Sequence, residues 1–209
     1  MKENSIILHI PHSSVSVPRD IRNTFRISNR ELKEEIILLS DLYVDSLLAN
    51  KIKHSISVVF PVSRIVVDPE RFSDDEQEPM SRYGMGAVYT RTVNGNILRD
   101  NLTQKERNRL MKKYYFPHHD LLTSAVTRAI DNYGKCLIID CHSFPSTPLR
   151  FEENKSLERP DICLGTDKYH TPEEIFDLFH KLFMEKGYSI EENHPFAGTI
   201  VPIKYYHSD

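Results

Sequence analysis

The chain has 209 residues, a formal net charge of -3, 39% hydrophobic and 27% charged residues, enough for one sizeable core and little more. The near-neutral charge gives no electrostatic reason for nucleic acid or an anionic membrane as partner. There is no apolar run long enough to span a bilayer, and the N-terminal apolar run breaks at Pro11 too early for a signal peptide, so a cytoplasmic location is expected. Three cysteines, Cys136, Cys141 and Cys163, without a C-x-x-C pair suggest neither a disulfide framework nor a thiolate zinc site. Ten histidines against no tryptophan direct attention to imidazole chemistry.

In chain order, Ser5 to Ile10 (SIILHI) predicts a first strand, closed by Pro11 and followed by His12, Ser13 and Ser14. Asn29 to Asn50 predicts one helix, capped by Ser28 or Asn29, with apolar Leu32, Ile36, Leu39, Tyr43 and Leu47 along one side. On that helix Asp41 and Asp45 would share a face, either solvated or turned to a cation. Ser55 to Phe60 and Ser63 to Val67 read as strands, the second ending in Asp68, Pro69, Glu70 and Arg71. Arg64, inside that apolar run, requires a carboxylate partner or a ligand.

Asn94-Gly95 between Ala87–Val93 and Asn96–Arg99 signals a hairpin. A long helix is expected from Thr103 to Tyr133, opened by a Thr103/Glu106 capping box and interrupted at Pro117, just before His118, His119 and Asp120. Cys136 to Asp140 (CLIID) reads as a buried strand running into Asp140, Cys141, His142 and Ser143, with Cys141 facing away from its polar neighbours as a structural thiol. A short strand at Asp161–Gly165, a helix from Thr171 to Glu185, and a strand at Tyr188–Ile190 follow. The order defines an α/β domain with a mixed sheet covered on both faces.

His12 and His142 each follow a buried strand, and with an acid from Asp41 or Asp45 they make the ligand set of a catalytic zinc site. Such a metal activates water and polarises an amide carbonyl without a serine or cysteine nucleophile. From the residues alone, a metal-dependent hydrolase is expected.

The ordered pieces HIPHSS (9–14), SDLYVD (40–45), SRIVVDPER (63–71), YYFPHHDLL (114–122), IDCHSFP (139–145), DICLGT (161–166) and NHPFAGTIVP (193–202) together resemble the N-formylglutamate amidohydrolase family. The resemblance implies a three-layer α/β/α fold with a mostly parallel central sheet, similar to zinc carboxypeptidases. It implies a zinc-dependent amide hydrolase, with cleavage of N-formyl-L-glutamate in histidine degradation as the family's best-known reaction. Another N-acyl amino acid or peptide-like amide, and a non-catalytic binding module, are the alternatives. Carried over, it makes His12, His142 and Asp41 (Asp45 as second choice) ligands of one Zn2+ or other divalent ion, and Asp140 a carboxylate that orients a ligand. Arg64 and His119 become catalytic, with Arg71, Asn193 and Ser143 contacting a small N-acyl amino acid. The family pattern also carries a glutamate after the PFAG loop as general base. The chain reaches His207-Ser208-Asp209 without it, so a single domain lacking its closing strand segment is expected.

Overall fold

A computed structural model describes residues 5–208 apart from 101, 151, 153 and 154. The chain forms two compact units, Met1–Phe144 and Pro145–Asp209. In the first, β1 (Ile6–Ile10) lies between β2 (Ser55–Val59) and β3 (Leu137–Asp140), both parallel to it. A central strand covered on both faces calls for a continuous apolar run rather than alternation, and Ile7, Leu8 and Ile10 are fully buried. Leu8 and Ile10 pack with Val44 and Cys141. Burial pushes the Cys141 thiol up to about 12, as an inert core residue requires.

The helices of this unit are α1 (Arg19–Arg22), α2 (Asn29–Leu39), α3 (Val44–Leu48), α4 (Gln104–Leu110) and α5 (Phe116–Tyr133). Ser28 and Glu31 cap α2 reciprocally, as Thr103 and Glu106 cap α4. The single helix expected over 29–50 is two. Ser40 turns extended (φ -93°, ψ 141°), Tyr43 turns left-handed (φ 69°), and the Asp41 amide donates to the His12 carbonyl at 3.0 Å. Asp41 and Asp45 therefore share no helix face.

The strand expected at 63–67 is instead a buried turn. Ile65, Val66 and Val67 are fully buried, but the Val66 amide bonds back to Ser63 and the Asp68 amide to the Ala87 carbonyl. The Asn94-Gly95 turn forms, with Gly95 at φ 84°, and its flanks make a bridge, Arg91 to Ile97, with the Thr92 amide bonded to the Asn96 carbonyl and the Leu98 amide to the Thr90 carbonyl, in place of full strands. The interruption of the 103–133 helix is a π-helical turn over Met111–Tyr115, ahead of Pro117.

In the second unit β4 (Ile162–Leu164) pairs in parallel with β5 (Ile190–Glu192), and α6 (Glu173–Met184) packs on both. Among the described residues every strand pairing is parallel, and no helix is long and apolar enough to cross a membrane.

Candidate active site

Parallel neighbours place equivalent positions side by side, and the register sets His9 of β1 opposite Asp140 of β3. Two residues past the ends of those strands stand His12 and His142, their rings 5.2 Å apart between centroids. Both occupy the carboxyl edge of the sheet, where α/β folds gather ligands.

His12 is 2% exposed, and its Nε2 lies 2.9 Å from Oδ1 of Asp68. Its Nδ1 is buried without a hydrogen-bond partner, with Asp41 Oδ2 at 3.8 Å. The same Asp41 oxygen lies 3.0 Å from Nδ1 of His142, and the Ser143 hydroxyl donates to the other Asp41 oxygen at 3.2 Å. On the far side of the His142 ring, Nε2 lies 3.3 Å from both Glu70 and Asp140. Burial opposes charge on His142, but Glu70, Asp140 and Asp41 outweigh it and raise its pKa well above the ordinary imidazole value. Burial likewise works against the Asp41 carboxylate, but the His142 bond and the charges of His12 and Arg64 hold its pKa below normal.

Asp68 is the hub of the cluster. Fully buried, it accepts from Arg64 through Nε (3.0 Å) and a terminal nitrogen (2.7 Å), from the Tyr89 hydroxyl (2.7 Å) and from the Glu70 amide (3.1 Å). Despite burial, Arg64 and His12 drive its pKa well below the carboxylate range, while burial pushes the Tyr89 phenol up to about 12. The carboxylate that Arg64 requires is thus Asp68, four residues on. Arg71 also approaches Asp68, at 3.5 Å, and its Nε is buried without a hydrogen-bond partner.

A second chain of contacts backs Asp140. His9 Nδ1 donates to Asp140 Oδ1 at 2.7 Å, which leaves Nε2 to accept from Nε2 of His118 at 2.8 Å. Burial and the neighbouring His9 and His119 push His118 down to about 3, so it is neutral near pH 7.

Of the residues singled out in the sequence, the structure brings together His12, Asp41, His142, Asp140, Arg64, Arg71 and Ser143. Asp45 instead accepts the Ser46 amide at the start of α3. His119 directs Nε2 at the Pro69 carbonyl, 2.8 Å away. Asn193 lies in the second unit, where its side chain bonds Thr166 through both its oxygen and its nitrogen. The sequence reading marked His118 only as one of two histidines after the Pro117 break, and did not single out Glu70, Asp68, Tyr89 or His9 as site residues. Charge at 68–71 directly after a buried run was the available signal for Glu70 and Asp68. Among the described residues two groups bring candidate metal-binding atoms within 4.8 Å of one another, His12–Glu70–His142 and His9–Glu70–Asp140.

A family model described as N-formylglutamate amidohydrolase matches residues 4–209. The crystal structure of N-formylglutamate amidohydrolase from Ralstonia eutropha JMP134 is 25% identical, with a TM-score of 0.80 over 95% of this chain and 75% of that one. The gene product Atu2144 from Agrobacterium tumefaciens, 20% identical, shares the fold with a TM-score of 0.66 over 93% of this chain and 70% of its own. No curated protein matches the chain. A parallel α/β sheet with this family match is that of a hydrolytic enzyme of the amidohydrolase type. The chain belongs to the N-formylglutamate amidohydrolase family.

Proposed function

We propose that this enzyme hydrolyses N-formyl-L-glutamate to formate and L-glutamate at one divalent ion, zinc, held by Nδ1 of His12, Nδ1 of His142 and the Asp41 carboxylate. The observation that carries the reading is the orphaned, buried Nδ1 of His12, whose opposite nitrogen is satisfied by Asp68. A metal-bound imidazole almost always donates its other N–H to a carboxylate or carbonyl, and this ring is set up for that exchange. His142 is set up alike, with Asp140 and Glu70 flanking its Nε2. Coordination through Nε2 toward Glu70 would leave the His12 Nδ1–H buried with no acceptor, which disfavours the Glu70 set.

Charge balance agrees. Five carboxylates, Asp41, Asp68, Glu70, Asp140 and, beside Arg71, Glu78, face two guanidiniums, Arg64 and Arg71, an excess of negative charge that a divalent cation reduces. In the metal-free protein the His142 imidazolium supplies one compensating positive charge, consistent with its raised pKa. Zinc bound there supplies Lewis acidity toward the formyl carbonyl and lowers the pKa of a coordinated water.

The chain's own residues do the rest. Arg71, held more loosely by Asp68 and Glu78 at 3.5 and 4.0 Å, binds a substrate carboxylate, whereas the Arg64 fork is taken up by Asp68. Ser143 steadies Asp41, and Asp140, fixed by His9, orients the His142 ring. Formate release from N-formyl-L-glutamate, with and without a chelator, tests the reading; cleavage only of other N-acyl amino acids would reassign the acyl group.

A further inference from the structure

The turn that carries Asp68, Glu70 and Arg71 belongs to no strand, and its own closing bond, Arg71 amide to Asp68 carbonyl, is long at 3.5 Å. Buried backbone carbonyls need partners from elsewhere. They come from the junction between α4 and α5. There the π-helical turn over Met111–Tyr115 changes the phase of the helix, a device common at functional sites. The Tyr115 hydroxyl donates to the Arg71 carbonyl at 2.9 Å, and His119, one turn on, reaches the Pro69 carbonyl at 2.8 Å. The two rings lie against each other, 4.3 Å between centroids. Burial lowers the pKa of His119, so its ring is neutral, and the Pro69 carbonyl fixes the proton on Nε2.

We propose that Tyr115 and His119 form a clamp that holds the 68–71 turn by its carbonyls and so positions Arg71 for a substrate carboxylate. The inference rests on the substrate reading above. It makes His119 a positioning residue, because its donor is committed to backbone. The π-helical turn sets the phase that brings both rings to that turn, and the 18-residue α5 behind them gives the clamp a rigid base.

Steady-state kinetics of the metal-loaded full chain with N-formyl-L-glutamate test the clamp in His119→Gln, His119→Asn and Tyr115→Phe. Glutamine can keep a donor near the position of Nε2; asparagine is too short to do so. For loss of one neutral hydrogen bond, KM should rise about three- to tenfold in His119→Asn and Tyr115→Phe with kcat within about twofold, and His119→Gln should restore KM. A kcat loss of about 100-fold or more in both His119 variants would overturn the clamp by placing His119 at the reacting atoms. Unchanged KM in folded His119→Asn and Tyr115→Phe would overturn it as well. If the wild type releases no formate, the substrate reading fails, and 15N NMR of the wild-type imidazole still decides the clamp. An Nε2–H tautomer with a hydrogen-bonded proton supports it, and an Nδ1–H tautomer refutes it.

Discussion

Nδ1 of His142 stands 3.0 Å from Oδ2 of Asp41, although 101 positions separate them in the chain. Nothing in the local sequence requires the meeting. It follows from two strand ends and from the break after α2, which frees Asp41 from the helix and ties its amide to the His12 carbonyl. Metal binding is the first consequence. Asp41→Asn and His12→Ala should lose stoichiometric zinc, whereas Glu70→Gln, which removes only an orienting carboxylate, should weaken affinity about 10- to 100-fold. Competition against a chromogenic chelator measures this, and the opposite ranking would move the acid ligand to Glu70.

Asp68→Asn should be strongly destabilising. The variant leaves Arg64, 16% exposed at its side chain, buried without its counter-charge. Breaking a buried pair by removing one partner costs about 3–5 kcal/mol. Urea unfolding of the metal-free protein reads the change, and a loss below about 1 kcal/mol would show that Asp68 is no hub.

The two arginines should separate in kinetics. Arg71→Lys, which loses the planar fork, should raise KM for N-formyl-L-glutamate about tenfold or more with kcat nearly kept. Arg64→Lys should act mainly on stability, because both of its bonds go to Asp68. Equal KM effects from the two would mean that Arg64 also meets substrate.

His118 gives the fold a pH dependence. Its folded pKa, about 3, lies below the ordinary 6.5, so between those values the unfolded chain binds more protons and the stability due to neutral His118 is lost as pH falls. The stability advantage of wild type over His118→Gln should therefore shrink from about pH 6 toward pH 4, by up to about 1.4 kcal/mol per pH unit. A difference independent of pH in that range would contradict the buried neutral assignment.

Much of the sheet was legible because covered parallel strands write themselves as apolar runs; SIILHI announces the buried β1, CLIID announces β3, whose residues are half-buried rather than buried, and the His residues just past them mark the candidate site. The 63–67 run misled for the same reason, since apolar composition reports burial and not which backbone partners exist. The α2 break was hidden because periodicity continued through Leu39, Tyr43 and Leu47 while the backbone turned at Ser40 to deliver Asp41. Glu70, His9 and His118 could not be placed from sequence, because each acts through contacts set by strand register or by the phase of the π-helical turn.

The most direct measurement is a zinc titration of the metal-stripped enzyme with formate release from N-formyl-L-glutamate followed at each step. Activity should be absent in the stripped protein and rise to saturation at about one zinc per chain, as a single catalytic ion requires. Formate release that persists without metal, or zinc bound at one per chain with no release of formate, would contradict it.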